Sequence, residues 1–225
     1  DSRTVKVEGG RAFGGEVRFS DRWSESREAI GAEIAAERGP ILVPPFDDPI
    51  IIEGQGTVGL ELVRQGQARG VSFDTVISPV GGGGLLAGVS TAVKALSPGT
   101  AIVGVEPAGF DDTLLSLQAG ERIVTQPAAR SLCDALESPA PGLLTFPVLQ
   151  KTVADVAVVT DAEVAEAMRY AFAVLKLVVE PGGSVGLAAL LAGKVADFGD
   201  NATGLILSGG NVDPELFARV LRREI

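Results

Sequence analysis

The sequence predicts an α/β fold: an open, mostly parallel, twisted sheet with helices on both faces, joined to a remnant of a smaller α/β domain. Three observations carry this. Short apolar, β-branched runs alternate with helical patterns of about 10–15 residues, the spacing of crossover units. Those runs lack in–out alternation, as strands buried on both faces do. Glycine-rich or polar turns stand where strand passes to helix. A shift in composition at "PPFDDP" separates residues 1–45, read as the smaller domain, from 46–225, read as the large one.

Taken in order, "SESREAIGAEIAAERG" reads as an amphipathic helix from about Glu25 to Arg38, stopped by Gly39. "PPFDDP" reads as a rigid connector, and "EGQGTVGLELVRQGQARG" as a helix. "FDTVISPV" is a buried strand by length and flanks. "LLAGVSTAVKAL" has helical spacing and ends before Pro98; "TAIVGVE" is the next strand, and "ADVAVV" another. Thr160 and Glu163 fit a capping box opening a helix over "DAEVAEAMRYAFAVLK". "SVGLAALLAGKVA" reads as a helix, "ATGLILSGG" as a strand with a glycine turn. Asp213 and Pro214 open a last helix that closes on Arg222 and Arg223.

Composition narrows the function. The chain has 225 residues, 46% hydrophobic and 21% charged, with a net charge of −10. That balance suits neither a nucleic-acid nor an anionic-membrane surface. Histidine is absent, which removes histidine-based triads and the commonest zinc ligand. Cys133 is the only cysteine, so no intrachain disulfide forms, and a reducing, cytoplasmic setting is expected. Thr75 to Val93 carries no charge, but Pro79 and a glycine run interrupt it, so it reads as strand, loop and helix rather than a membrane span. The opening "DSRTVKVEGG" does not read as a signal peptide.

The glycine run Gly81-Gly82-Gly83-Gly84 falls after a buried strand and before a helix. A helix start offers free N–H groups and a positive dipole end, and glycines let a phosphate approach them closely. A tight, close-packed turn is the plainer reading, but it does not need four glycines. Leu85 and Leu86 follow where a P-loop needs Lys-Ser/Thr, which argues against ATP bound in that manner. A dinucleotide site is a rival: Gly82, Gly84 and Ala87 fit G-x-G-x-x-A, and Glu106 ends the next strand where a ribose-binding acid belongs. "EPAGFDD", "EPGGSVG" and "SGGNVD" also fall at or near strand-to-helix passages, which a parallel sheet gathers along one edge.

Together these stretches resemble the serine/threonine dehydratase and serine racemase branch of the fold-type II enzymes that use pyridoxal phosphate (PLP). "VKVEGGRAFGGEV", "FDDPIIIEGQGTVGLEL", "VGGGGLLAG", "VEPAGFDD", "VVEPGGSVGLAAL" and "LSGGNVD" stand in that family's order along nearly the whole chain. The resemblance implies that Gly81, Gly82, Gly83, Gly84 and Leu85 cup the PLP phosphate. It places Ser208 on the pyridine nitrogen as a neutral partner, which moderates the ring as an electron sink and suits β-elimination. It further implies a Mg²⁺ or Ca²⁺ site from the carboxylates of Glu106 and Asp112 and the Phe110 carbonyl. A solvated acidic helix start competes with that last reading. Glu180 is expected near the ring or as a helix-start acid.

The family's Schiff-base lysine motif is not found in this sequence. Lys6, Lys94, Lys151, Lys176 and Lys194 stand in other contexts, so no catalytic residue is assigned within the chain and the lysine is expected upstream of Asp1. The resemblance thus implies the carboxyl-terminal portion of a short, catabolic-type enzyme, inactive alone, without a regulatory extension. The intact enzyme is expected to convert L-threonine or L-serine to a 2-oxo acid and ammonia, as a homodimer or higher homo-oligomer. Serine racemase and 3-hydroxyaspartate dehydratase are alternatives within the family. A nicotinamide-dinucleotide domain and a non-catalytic assembly subunit are alternatives outside it.

Overall fold

Four parallel strands in the order β3-β2-β1-β4 form the centre of the larger of two compact units, Phe46–Ile225. The smaller unit is Asp1–Pro45. The computed structural model describes residues 4–21, 25, 27–39, 41–126, 129–196, 199 and 201–225. In the smaller unit the described residues hold two helices, α1 (Thr4–Ala12) and α2 (Arg27–Arg38), and no strand. Helix α2 stops at Gly39, which takes φ 71°, a conformation glycine adopts without Cβ strain.

In the larger unit α3 (Pro49–Gln67) starts earlier than its sequence pattern suggests. Asp48 accepts hydrogen bonds from the N–H groups of Ile50 and Ile51, and Pro49 occupies the first helical position, so "DDP" is a helix start and not only a connector. There follow β1 (Phe73–Pro79), α4 (Gly84–Leu96), β2 (Ala101–Pro107), α5 (Asp112–Ala119), α6 (Thr145–Thr152), β3 (Asp155–Val159), α7 (Asp161–Tyr170), α8 (Pro181–Leu191), β4 (Ala202–Leu205) and α9 (Pro214–Leu221). The capping box at Thr160 and Glu163 is present, as is the Asp213 cap with Pro214 behind it. Helices α5 and α6 carry too little periodic signal to be read from sequence. The helix predicted to run to Lys176 instead widens into a π turn over Ala171–Leu175 and ends at Lys176, φ 60°.

The strand residues alternate between two cores. Val76, Ile102 and Ile206 face Val63 of α3, Val89 and Val93 of α4, and Leu149 of α6. Ile77, Val103, Val105 and Val159 face Val164 and Met168 of α7, Val185 of α8 and Val220 of α9. Most of these side chains are fully buried, each worth about 1.5–3 kcal/mol relative to exposure. The sheet is therefore covered on both faces, as predicted.

The topology places the ligand edge. The chain runs outward from β1 to β2 and β3, then returns to lay β4 on the other side of β1. A sheet of this kind has its switch point between β1 and β4, and ligands bind beyond the carboxyl ends there. The glycine run follows β1 and Ser208 follows β4. Among the described residues no helix is long and apolar enough to cross a membrane.

Candidate functional site

The glycine run is built by opposed demands. Upstream, β1 ends in buried Ile77, Ser78 and Pro79, and buried Val80 follows, which fix the exit direction. Downstream, α4 begins at Gly84 with Gly83 as its cap at φ 97°. A Cβ at Gly83 would lie 2.8 Å from Thr145 Oγ1, and one at Gly82 or Gly84 would collide with Phe46. Among the described residues, the N–H groups of Gly81, Gly82, Gly83, Gly84, Leu85 and Leu86 reach no acceptor. Buried or half-buried N–H groups are rarely left so, and a row of them at a helix start suits an anion. The loop thus fits a phosphate on its own geometry.

A second layer braces this loop. The Gly82 carbonyl accepts two hydrogen bonds, from Gly142 N at 3.0 Å and from Thr145 Oγ1 at 2.7 Å. The turn carrying Gly142 and Thr145 is in turn tied to Asp47. Its Oδ2 accepts from Leu143 N at 2.8 Å, and its Oδ1 from Leu144 N at 2.8 Å and Thr145 N at 3.3 Å. Sequence reading missed Asp47, Gly142 and Thr145. Asp48 could be found, because a cap and its helix are neighbours in sequence. Asp47 meets partners 96 to 98 residues away, and no local pattern announces that.

Ser208 is exposed just beyond β4 and makes no hydrogen bond to a described residue. It does not cap the last helix; Asp213 does. Glu180 is the residue before α8, and its N–H donates to the Gly209 carbonyl at 3.0 Å, fixing the turn that carries Ser208. Three of the four lysines of the larger unit are engaged elsewhere. Lys94 Nζ donates to the carbonyls of Pro98 and Thr100, Lys176 to Ala173, and Lys194 to the Val158 carbonyl and Glu163 Oε2. Lys151 is exposed in the last turn of α6, at the end away from the glycine loop. Cys133 is buried, and burial pushes its thiol up to about 12, so it is no nucleophile.

The acidic passage after β2 is a different kind of place. Glu106 and Asp112 are both fully buried. Glu106 accepts from Thr113 N at 2.9 Å and Leu114 N at 3.0 Å, closing the start of α5 from the strand before it. A fully buried carboxylate already committed to two backbone N–H groups is not offered to a ligand, which counts against the dinucleotide reading. Both carboxylate oxygens of Asp112 lack a partner. No hydrogen bond reaches the Phe110 carbonyl among the described residues. Burial pushes Glu106 up to about 7 despite its two N–H donors. Burial, then repulsion from Glu106, pushes Asp112 up to about 8. Among the described residues no three His, Cys, Asp or Glu side chains cluster as a metal site, so a cation here would depend on two carboxylates, a carbonyl and waters.

Comparison with known proteins agrees with this geometry. The chain is 39% identical over 215 residues to a serine racemase of Arabidopsis thaliana, covering 92% of this chain and 62% of that protein. It is 39% identical over 222 residues to an L-threo-3-hydroxyaspartate ammonia-lyase of a Pseudomonas species, covering 99% and 68%. Among solved structures, a serine racemase of maize superposes with a TM-score of 0.86 at 38% identity, over 99% of this chain and 67% of that one. A solved threonine deaminase superposes with a TM-score of 0.83 at 42% identity, over 92% and 67%. The chain thus spans about three fifths of the length of the Arabidopsis racemase. The family described as pyridoxal-phosphate dependent enzymes matches residues 1–209, and the chain belongs to it.

Proposed function

We propose that this chain is the phosphate-holding part of a PLP-dependent ammonia-lyase that removes the β-hydroxyl of L-threonine or L-serine as water, the product then taking up water to release ammonia and leave a 2-oxo acid. The observation that carries this is the row of unclaimed N–H groups at the start of α4, on the same sheet edge as Ser208. PLP, when bound, supplies the electron sink for charge developing on the amino acid. Gly81, Gly82, Gly83, Gly84 and Leu85 hold its phosphate; Ser208 offers the ring nitrogen a neutral hydroxyl. Lys94, Lys176 and Lys194 are engaged away from the loop and Lys151 stands exposed in the last turn of α6, so in this reading covalent attachment and Cα proton removal rest on a residue outside that unit's described part.

Relatives named for serine racemisation and for 3-hydroxyaspartate elimination match about as well as those named for threonine. Those two reactions are therefore the second reading. Glu106, Phe110 and Asp112 hold a divalent cation, Mg²⁺ or Ca²⁺, in this proposal; two orphaned, buried oxygens on Asp112 support it. The free, buried thiol of Cys133 suits a cytoplasmic setting. The family resemblance suggests a homo-oligomer, which sedimentation equilibrium tests.

The function is tested by titrating the purified protein with PLP and with NAD. Serine, threonine and 3-hydroxyaspartate are then assayed for 2-oxo acid release, and serine for inversion. We expect this chain to bind PLP and not NAD, and 2-oxo acid to be released from threonine or serine only by a protein that also carries the Schiff-base lysine segment. Ser208→Ala should lower turnover by about tenfold or more, because a positioned partner at the ring nitrogen is lost. NAD binding in place of PLP would overturn the reading.

A further inference from the structure

We propose that Asp47 and Thr145 are positioning residues for the phosphate cup: through the Gly82 carbonyl they set the direction in which the glycine loop's N–H groups point. This rests on the cofactor reading above. Four glycines in a row have no side chains with which to hold their own conformation, and glycine has the widest backbone freedom. Left alone, such a loop would have to be ordered by the ligand, and that ordering weakens binding. Something else in the fold must fix it.

The structure shows what does. A trans peptide is planar, so the C=O of Gly82 and the N–H of Gly83 point to opposite sides. Gly82 O is pinned by two donors, Thr145 Oγ1 at 2.7 Å and Gly142 N at 3.0 Å. Pinning the carbonyl on the α6 side sends the Gly83 N–H to the opposite side, where no described acceptor meets it. Thr145 is fully buried and also fills the space in which a Gly83 Cβ would lie.

Asp47 acts one step further out. The residue before α6, Leu144, makes no side-chain cap, so the first N–H groups of that helix need an acceptor. The Asp47 carboxylate supplies it to Leu143, Leu144 and Thr145. That fixes the backbone from which the Thr145 hydroxyl reaches Gly82. Phe46, beside Asp47, occupies the space that a Cβ at Gly82 or Gly84 would need. Residues 46 and 47 therefore brace the loop twice, by a ring and by a carboxylate.

The test separates phosphate from the rest of the cofactor. Dissociation constants for PLP, pyridoxal and inorganic phosphate are measured on the purified protein and on Thr145→Val, Thr145→Ser and Asp47→Asn. The ³¹P resonance of bound PLP is recorded alongside. Thr145→Val keeps the shape and loses the hydroxyl. It should weaken PLP and inorganic phosphate by about tenfold, shift the ³¹P line, and leave pyridoxal unchanged. Thr145→Ser should restore all three, and Asp47→Asn, which keeps one acceptor oxygen, should fall between. Equal loss of PLP and pyridoxal would mark a general destabilisation and overturn the proposal, as would an unchanged PLP preference in Thr145→Val. If Asp47→Asn fails to fold, the Thr145 pair decides alone. A parent protein that does not prefer PLP to pyridoxal would instead overturn the cofactor reading itself.

Discussion

Two helices begin side by side on the carboxyl edge of this sheet, and they treat the same physical problem in opposite ways. At α5 the first N–H groups are closed from inside by the Glu106 carboxylate, and a second acid, Asp112, is buried beside it. At α4 the first N–H groups meet no acceptor among the described residues, and four glycines line the approach. Both ends carry the same positive dipole. The difference lies in the side chains offered to it. An acid ending β2 occupies the anion site from within and leaves a second buried acid, Asp112, without a partner, the place proposed above for a cation. Glycines after β1 keep the anion site open, which calls for a phosphate.

The largest effect should come from closing the open end. Gly83→Ala puts a side chain at φ 97° and 2.8 Å from Thr145 Oγ1. Strain of roughly 1–3 kcal/mol at this residue should weaken PLP binding by about 10–100-fold in an absorbance titration. Gly99→Ala, where a Cβ meets nothing within 4 Å, should leave it unchanged. Equal binding by both variants would break the contrast.

An intermediate effect is expected at the closed end. The ordinary values for Glu and Asp are 4.5 and 3.8, whereas the folded values are about 7 and about 8. Between those limits the native state holds protons that the unfolded chain has released. Stability is therefore full below the ordinary range and falls as pH rises through 7 to 8. The loss in cation-free protein should be about 1–3 kcal/mol by denaturant unfolding. Ca²⁺ or Mg²⁺ should offset it most at the alkaline end. Asp112→Asn should flatten the pH profile and abolish the cation response. A cation response that survives Asp112→Asn would remove this site from the protein.

The smallest effect should come from the far end of α4. Lys94→Ala loses the bonds to the Pro98 and Thr100 carbonyls, about 1 kcal/mol in unfolding free energy. PLP affinity should not change, because these contacts lie beyond the helix's last turn. A change in affinity would mean that the two ends of α4 are coupled.

The sequence by itself determined what depends on near neighbours. The Thr160–Glu163 capping box, the Asp213-Pro214 helix start and the position of the glycines between β1 and α4 involve partners a few residues apart. Burial on both faces was legible in the apolar runs. Resemblance supplied Gly81–Leu85 and Ser208 as a group. Only the tertiary structure decided what those residues adjoin. Strand order laid β4 beside β1 and so brought the Ser208 turn to the same sheet edge as the glycine loop. Tertiary packing also brought Asp47 to a helix start nearly a hundred residues away, and committed the Glu106 carboxylate to the start of α5. The reason is one of range: a cap or a turn is set by a few torsions along the chain, whereas these contacts form only when packing of both sheet faces closes long loops.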